Sequence, residues 1–486
     1  MTAFEGRILV IGLGAVSRCT LPLLFEHVPA RRAQYTVIDF GGVEEHARWV
    51  REQGAAFAAD RIERASYGDV LGRYVGPGDL IVDLAWNTGT ADILEWCRAH
   101  DVRYVNASLE VWDPYEGMGS SHPTERTLYA RHMNLRDRFA RWGDNEGASA
   151  VLDHGANPGL VSHFTKAALA DIADACLEGG GADGAVREAI ADARAAGAWN
   201  RLAQALGVKT IHISERDTQI SREPKRVNEF VNTWSVEGFY EEGVAPAELG
   251  WGTHERVLPH LAFTHERGPR NQICLAHPGC RTWVRSWVPS GDIVGMVIRH
   301  GEAFSISEAL TVEEDGEAVY RPTVHYAYCP ADAAIASLHE LHMRGDVLQP
   351  DQRIMNDDIV TGRDELGVLL MGHSLTSWWY GSLLDIDESR GLAPHQNATT
   401  LQVAAALLGA VQWLLKNPRR GVRLPDDLPH EEILGHARRY LGPIESQQSD
   451  WTPLLRWSDP FAGFGRARPA DEDVWQFSTF LVHGPS

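Results

Sequence analysis

Apolar positions follow two rhythms along the chain. In the first part, short apolar runs at Arg7–Ile11 (RILVI), Tyr35–Ile38 (YTVI), Ala55–Phe57, Leu80–Leu84 (LIVDL), Arg103–Asn106 (RYVN) and Ala148–Leu152 alternate with helical patterns through Leu21, Leu23 and Leu24 and from Ala91 to Ala99. Runs apolar on both faces suit buried parallel strands. Strand, helix, strand at this spacing predicts an α/β, Rossmann-type doubly wound parallel sheet, with ligands at the carboxyl ends of its strands. After an Ala-, Gly- and Asp-rich stretch from Cys176 to Ala205, containing GGGADG at Gly179–Gly184 and read as a linker leading into a helix, the rhythm changes. Val208–Ser214, Thr282–Val288, Val294–Arg299, Thr311–Glu314 and Val324–Tyr328 read as strands with little helix between them, predicting a second α+β domain built on a mostly antiparallel sheet. Asn397–Leu415 (NATTLQVAAALLGAVQWLL) is a helix too apolar to be exposed, expected to pack between the two sheets. These patterns divide the chain into 1–165, a dinucleotide-binding domain completed by the helical segment 395–425; 166–394, a substrate-binding and dimerisation domain; and a C-terminal segment, 426–486.

The first strand runs into Gly12-Leu13-Gly14-Ala15-Val16-Ser17. This is GxGxxG with serine in the third glycine position: Gly12 permits a tight turn and Gly14 lets the backbone approach a pyrophosphate at the helix N-terminus. Asp39 ends the second strand, where a carboxylate accepts ribose hydroxyls and repels a 2′-phosphate. NAD is therefore expected rather than NADP, bound by Gly12, Gly14, Ala15, Val16 and Asp39, with Ala85, Asn87, Asn106, Asn157 and Pro158 at the later strand ends. Asn157 precedes Pro158 at a helix start, so it reads equally as an N-cap or as a residue facing the nicotinamide.

Composition narrows the partners. A formal charge of −21 over 486 residues argues against nucleic acid, which needs a basic surface. The six cysteines contain no CxxC spacing and suit a reducing compartment. Cys274, His277 and Cys280 lack a fourth ligand, so no metal is expected. The N-terminus leads almost directly into a strand without a signal-peptide pattern, and no uninterrupted run of about 18 apolar residues predicts a membrane span, which together imply a cytoplasmic protein.

One stretch stands out chemically. Between Arg226 and Arg256 lie Glu229, Glu237, Glu241, Glu242, Glu248 and Glu255 with no Lys or Arg, interleaved with Trp234, Phe239, Tyr240 and Trp251. Carboxylates and aromatic faces both attract an ammonium group. The composition fits a cation pocket, but taken alone it more often marks a solvated acidic face over an aromatic core.

Several strings resemble homospermidine synthase: IHISERDTQ (Ile211–Gln219), VNTWSVEGF (Val231–Phe239), PAELGWGT (Pro246–Thr253), YRPTVHYAY (Tyr320–Tyr328), DELGVLL (Asp364–Leu370), QNAT with LQV (Gln396–Val403) and DWTPL (Asp450–Leu454). The resemblance runs from the Gly12 loop to near the C-terminus. It implies an NAD-dependent, saccharopine dehydrogenase-like homodimer that condenses two putrescines to homospermidine and ammonia through imines, with tightly bound NAD returning its own hydride. Spermidine is a further candidate aminobutyl donor. By the same resemblance Trp234 holds a cation by its ring, Glu215 and Glu237 bind ammonium near the reacting centre, Glu110, Glu242 and Asp364 position it or exchange protons, and Asn157 and His300 line the site, His300 as a proton shuttle. Bland alternatives stand beside these roles: rim charges for Glu237 and Glu242, a helix N-cap for Asp364, a strand histidine for His300. Glu229 and Glu255, supported by no string, read as surface charges. Two positions depart from the pattern: Asn87, where an aspartate is expected, and Ser17. Other readings left open are another saccharopine dehydrogenase-like coupling oxidoreductase, which would need Lys or Arg for substrate carboxylates, and a non-catalytic NAD- and polyamine-sensing protein.

Overall fold

A computed structural model describes residues 3–41, 44–117, 119–179, 184–461, 463 and 467–482. Seven parallel strands form the first sheet, in the order Ala56–Ala58, Tyr35–Ile38, Ile8–Ile11, Leu80–Asp83, Arg103–Asn106, Ala150–Val151 and Val422–Arg423. Six were legible because each is an apolar run; Ile8–Ile11 and Leu80–Asp83, for example, are buried at every position. The seventh, Val422–Arg423, has only two residues and no periodic signal, and pairs with Ala150–Val151.

The second sheet has ten strands. At its centre Thr210–Asp217 lies between Arg363–Met371, antiparallel to it, and Thr323–Cys329, parallel to it. The sheet is otherwise antiparallel, so the mostly antiparallel expectation holds with this one parallel pair at its heart. The strand expected at Val294–Arg299 is instead Gly291–Met296, because it closes a hairpin with Trp283–Val288 in which Val288 pairs with Gly291. That pulls the paired segment toward the turn and leaves Val297–Arg299 leading into a helix, Gly301–Ala309.

The Cys176–Ala205 stretch is helical rather than a linker: Leu160–Glu178, Gly184–Ala196 and Trp199–Leu206 are helices, and residues 180–183 of the glycine run lie outside the described residues. Its alanines are strong helix formers, which outweighs the reading drawn from glycine content. Ala398–Lys416, capped by Asn397, whose side chain accepts from the Thr400 N–H, is long and apolar enough to cross a membrane. It is instead buried almost throughout, packing on the Ala15–His27 helix of the dinucleotide half and on Arg363–Met371 and Ser377–Asp385 of the second sheet. Thr399, Thr400, Gln402, Gly409 and Gln412 interrupt its apolar run, as expected, while its mean hydropathy still reaches the spanning range, and burial decides the helix's place.

Candidate active site

At the carboxyl ends of the parallel strands, the sequence builds a dinucleotide cradle. Gly12 has φ +89°, and a Cβ there would lie 3.0 Å from the Leu84 carbonyl, so only glycine makes this turn. A Cβ on Gly14 would meet nothing within 4 Å, leaving room beside a helix N-terminus that no side chain caps. Asp39 accepts from the Leu13 N–H at 2.6 Å and the Gly41 N–H at 2.9 Å, fixing the glycine loop and its own carboxylate together. Ser17, in the third glycine position, is fully buried with its hydroxyl unpaired. Asn87 adopts φ +61° at the next strand end, and its Oδ1 is buried without a hydrogen-bond partner. These residues fit a dinucleotide whose phosphates approach Gly14 and whose ribose approaches Asp39. Asn106 is occupied otherwise: its amide donates to the Ser108 carbonyl at 2.6 Å and to Thr90 Oγ1 at 3.3 Å, and accepts from the Asp153 N–H at 2.9 Å, tying the neighbouring strand ends together.

Glu215, on the central strand of the second sheet, faces this cradle. It is almost fully buried, accepts a short hydrogen bond from the Tyr326 hydroxyl, and receives the Asn157 amide at 3.1 Å. Asn157 is not an N-cap, since the helix begins at Leu160 with Gly159 before it. Burial pushes the Glu215 carboxyl up to about 7, against the Tyr326 hydrogen bond, with Asp217 adding to the rise. Asp364 lies beneath, at 0% exposure, on a strand and not at a helix N-cap, with its carboxyl accepting from Thr399. Burial, then Glu215 and Asp217, hold its pKa well above the carboxylate range. Asp217 accepts from the Gln219 N–H at 2.8 Å and from Thr233 Oγ1 at 2.8 Å, the residue before Trp234.

Trp234 is half-buried. Its indole N–H donates to the Tyr328 hydroxyl at 3.1 Å, and Tyr328 stacks on Tyr326 with centroids 4.9 Å apart. Trp234 is thereby linked through two tyrosines to Glu215. Ser235 caps the next helix, Val236–Val244, by accepting from the Gly238 N–H. That helix turns successive acids to different neighbours: Glu237 is partly exposed, Glu241 is buried, and Glu242 Oε2 lies 3.2 Å from His300 Nε2. His300 packs against Tyr326, with ring centroids 4.4 Å apart, immediately before the Gly301–Ala309 helix and not within a strand. On the dinucleotide side, Glu110 accepts from the Ser108 hydroxyl at 2.8 Å, and burial pushes it up to about 7, opposed by Arg131 and reinforced by Glu241 and Glu242.

The lack of cations within 226–256 does not carry over to space. Arg131, from the helix Leu128–Ala140, donates to Glu241 at 2.6 Å and to the Leu109 carbonyl at 2.9 Å, and Arg299 donates to the same Glu241 oxygen. Burial opposes ionisation of Glu241, but the two guanidiniums outweigh it and lower its pKa. Both arginines are thus paired, and Glu241 is an internal counter-ion rather than a pocket wall. The other acids of the stretch also turn inward. Glu248 is fully buried and accepts from the Leu128 N–H at 2.7 Å at the start of the Leu128–Ala140 helix. Glu229 pairs with Arg353 at 2.9 Å, and Glu255 accepts from Thr323 at 2.7 Å and from the Phe477 N–H at 3.1 Å, so neither is a surface charge. Trp251 packs near Phe477, away from Trp234. Asp217, Gln219 and Thr399 sat inside the quoted strings without a role, whereas Arg131, Arg299 and Glu302 gave no signal in sequence.

Comparison with known proteins places this geometry. The family model described as the saccharopine dehydrogenase NADP binding domain matches residues 8–151, and that of the saccharopine dehydrogenase C-terminal domain matches 155–447. A relative named homospermidine synthase from Blastochloris viridis is 42% identical, covering 98% of this chain and 98% of its own. The chain belongs to the homospermidine synthase family. A second member, from Mesorhizobium japonicum, is 38% identical over 98% of this chain and 96% of its own. The crystal structure of the Legionella pneumophila homospermidine synthase in complex with NAD superposes with a TM-score of 0.87 at 35% identity, covering 99% of this chain and 98% of that one. In this homospermidine synthase family member Glu110, from the first matched region, lies within electrostatic reach of Glu241 and Glu242 of the second, in which Asn157 also donates to Glu215.

Proposed function

We propose that the chain is an NAD-dependent homospermidine synthase, joining two putrescines with loss of ammonia. The observation that carries this reading is the juxtaposition of a dinucleotide cradle with Glu215, Glu110, Glu242 and Trp234, where Arg131 and Arg299 are already paired to Glu241. Such a site suits a diammonium substrate, and the pairing of Arg131 and Arg299 with Glu241 weighs against a substrate carboxylate and a saccharopine-type reaction.

Putrescine carries an ammonium at each end, and one must be neutral before its carbon can give up hydride. Glu215, with a pKa of about 7, accepts that proton near neutral pH, and Asn157 and Tyr326 hold its carboxyl in place. NAD, held by the Gly12–Gly14 loop and Asp39, would supply the hydride acceptor and donor for both half-reactions. The iminium left behind needs stabilisation without a nucleophile, and the Trp234 face supplies it. The second amine adds to that carbon, ammonia departs carrying the proton handed back through Glu215, and the new imine is reduced. Asp364, kept protonated by burial and its two acidic neighbours, shares a proton with Glu215 during these exchanges. Glu110, Glu237 and Glu242 hold the distant ammonium. His300, flanked by carboxylates, serves as a fixed charge, and the shuttle role falls to Glu215.

Because both half-reactions would use one cofactor, a tightly held NAD suits this site. Spermidine donates an aminobutyl group by the same steps. The protein is proposed to be a cytoplasmic homodimer, with exposed Val257, Leu258 and Leu261 giving an apolar surface on the second domain. Incubating purified protein with putrescine and NAD and measuring homospermidine and ammonia tests the reading. Turnover of a carboxylated amine in place of putrescine overturns it, as does polyamine binding without ammonia release.

A further inference from the structure

Glu302 has no place in the mechanism above, yet among the described residues it is the acid with both carboxylate oxygens buried and unpartnered. It lies at 0% exposure on the Gly301–Ala309 helix, and neither carboxylate oxygen has a hydrogen-bond partner. An ionised carboxylate with no donor is strongly disfavoured in such surroundings unless a cation lies against it. The group available is the His300 ring, whose Nδ1 lies 3.4 Å from Glu302 Oε1, while Nε2 on the opposite edge lies 3.2 Å from Glu242 Oε2. One imidazole thus bridges two carboxylates from two different elements.

The remaining groups around His300 do not offer either acid a substitute partner. Tyr326 stacks beside the ring and donates to Glu215 on the adjacent strand. Arg299, next in sequence, is turned to Glu241 and the Arg126 carbonyl. His132 and Asp153 pair with each other at 2.9 Å beside Gly301, where a Cβ would lie 2.8 Å from the Asp153 carboxylate. Were Glu242 the sole anion at the ring, an imidazolium would cancel its charge and leave nothing for a substrate ammonium. With Glu302 present, one positive ring is shared by two negative carboxylates and the trio keeps a net charge of −1.

We infer that Glu302 is a positioning residue that holds His300 as an imidazolium from behind, so that Glu242 stays anionic toward the pocket and free to receive an ammonium of the substrate. The substrate part of this inference rests on the proposed function; the charge state of His300 does not. Burial opposes the charged ring, but Glu302 and Glu242 outweigh it and hold its pKa well above the ordinary value.

The full-length protein labelled with 15N-histidine, its His300 signals identified by their loss in H300Q, reports the ring directly. At about pH 8, well above the roughly 6.5 of a free imidazole, both His300 ring nitrogens are expected to carry protons. In E302Q the ring should deprotonate at least about one pH unit lower, the effect of removing one opposite charge at this distance. E302D should restore part of the shift, and the basic limb of kcat/KM for putrescine should move with it. A neutral His300 in the wild-type protein at about pH 8 overturns the inference, a result that needs no variant to fold. So does an E302Q protein, shown folded by its melting curve, whose His300 titrates as in wild type. A charged His300 in a protein that makes no homospermidine overturns the functional reading and supports the Glu302–His300 pairing.

Discussion

From Trp234 to Glu242 the acidic, aromatic segment runs beside Glu215 and His300, whereas from Glu248 to Glu255 the same mixture of residues is folded inward against the Leu128–Ala140 helix and the C-terminal Phe477. Both halves mix glutamates with aromatics and lack Lys and Arg. What separates them is which backbone donors and side chains the fold brings to each carboxylate. A glutamate met by two N–H groups, as Glu248 is by those of Leu128 and Tyr129, becomes part of the scaffold. One met by an imidazolium that a second acid also binds, as Glu242 is, keeps charge to offer.

That contrast can be broken by mutation. The largest effect is expected for E215Q, which keeps the shape of the side chain but removes the proton acceptor. Its kcat should fall by about 10²–10⁴-fold with the fold intact, checked by steady-state kinetics alongside a melting curve. E248A should do the reverse, lowering stability by about 2–4 kcal/mol in denaturant unfolding while the folded fraction keeps its kinetic constants. If E248A instead changes KM for putrescine in a fully folded protein, the division between the two halves is wrong.

Acid should act on the pocket half. Glu215 and Glu110 have pKa values raised to about 7, so both are neutral below and anionic above that value. A cationic substrate prefers the anionic forms, and kcat/KM for putrescine should therefore fall as pH drops below about 7, by up to about tenfold per unit for each proton that must leave. A flat profile between about pH 5.5 and 8 would sink this assignment. W234A should cost about 0.5–2 kcal/mol of transition-state stabilisation, roughly a 2- to 30-fold loss in kcat/KM, with W234F recovering part of it. The smallest effect is expected for E237Q, a partly exposed acid with no resolved partner, within about threefold in KM and fading as salt is added.

Much of the fold was legible because it rests on local pattern. The strand–turn–helix around Gly12 and Gly14, the acid at Asp39 and the buried helix from Asn397 follow from runs of apolar residues and from glycine's freedom at φ +89°. Cys176–Ala205, expected as a linker, is helical because its alanines favour helix more than its glycines oppose it, whereas the burial of the helix after Asn397 was legible in its apolar run. The candidate site was legible only in part. Trp234 and Glu215 stood in long, unusual strings, but Arg131, Arg299 and Glu302 carry no local signature.

The sequence by itself determined which elements form and where the dinucleotide-binding loop sits, since those depend on side chains close together in the chain. Tertiary structure decided which charges remain available. Arg131 and Arg299 reach Glu241 from segments more than 50 residues away on either side, and Glu302 lies at the ring of His300 only because the Gly291–Met296 hairpin strand releases the chain into a helix there. Hydrogen bonding and ion pairing act over a few ångströms in space, whatever the distance in sequence. An acidic stretch read along the chain therefore fixes the supply of carboxylates but not their partners.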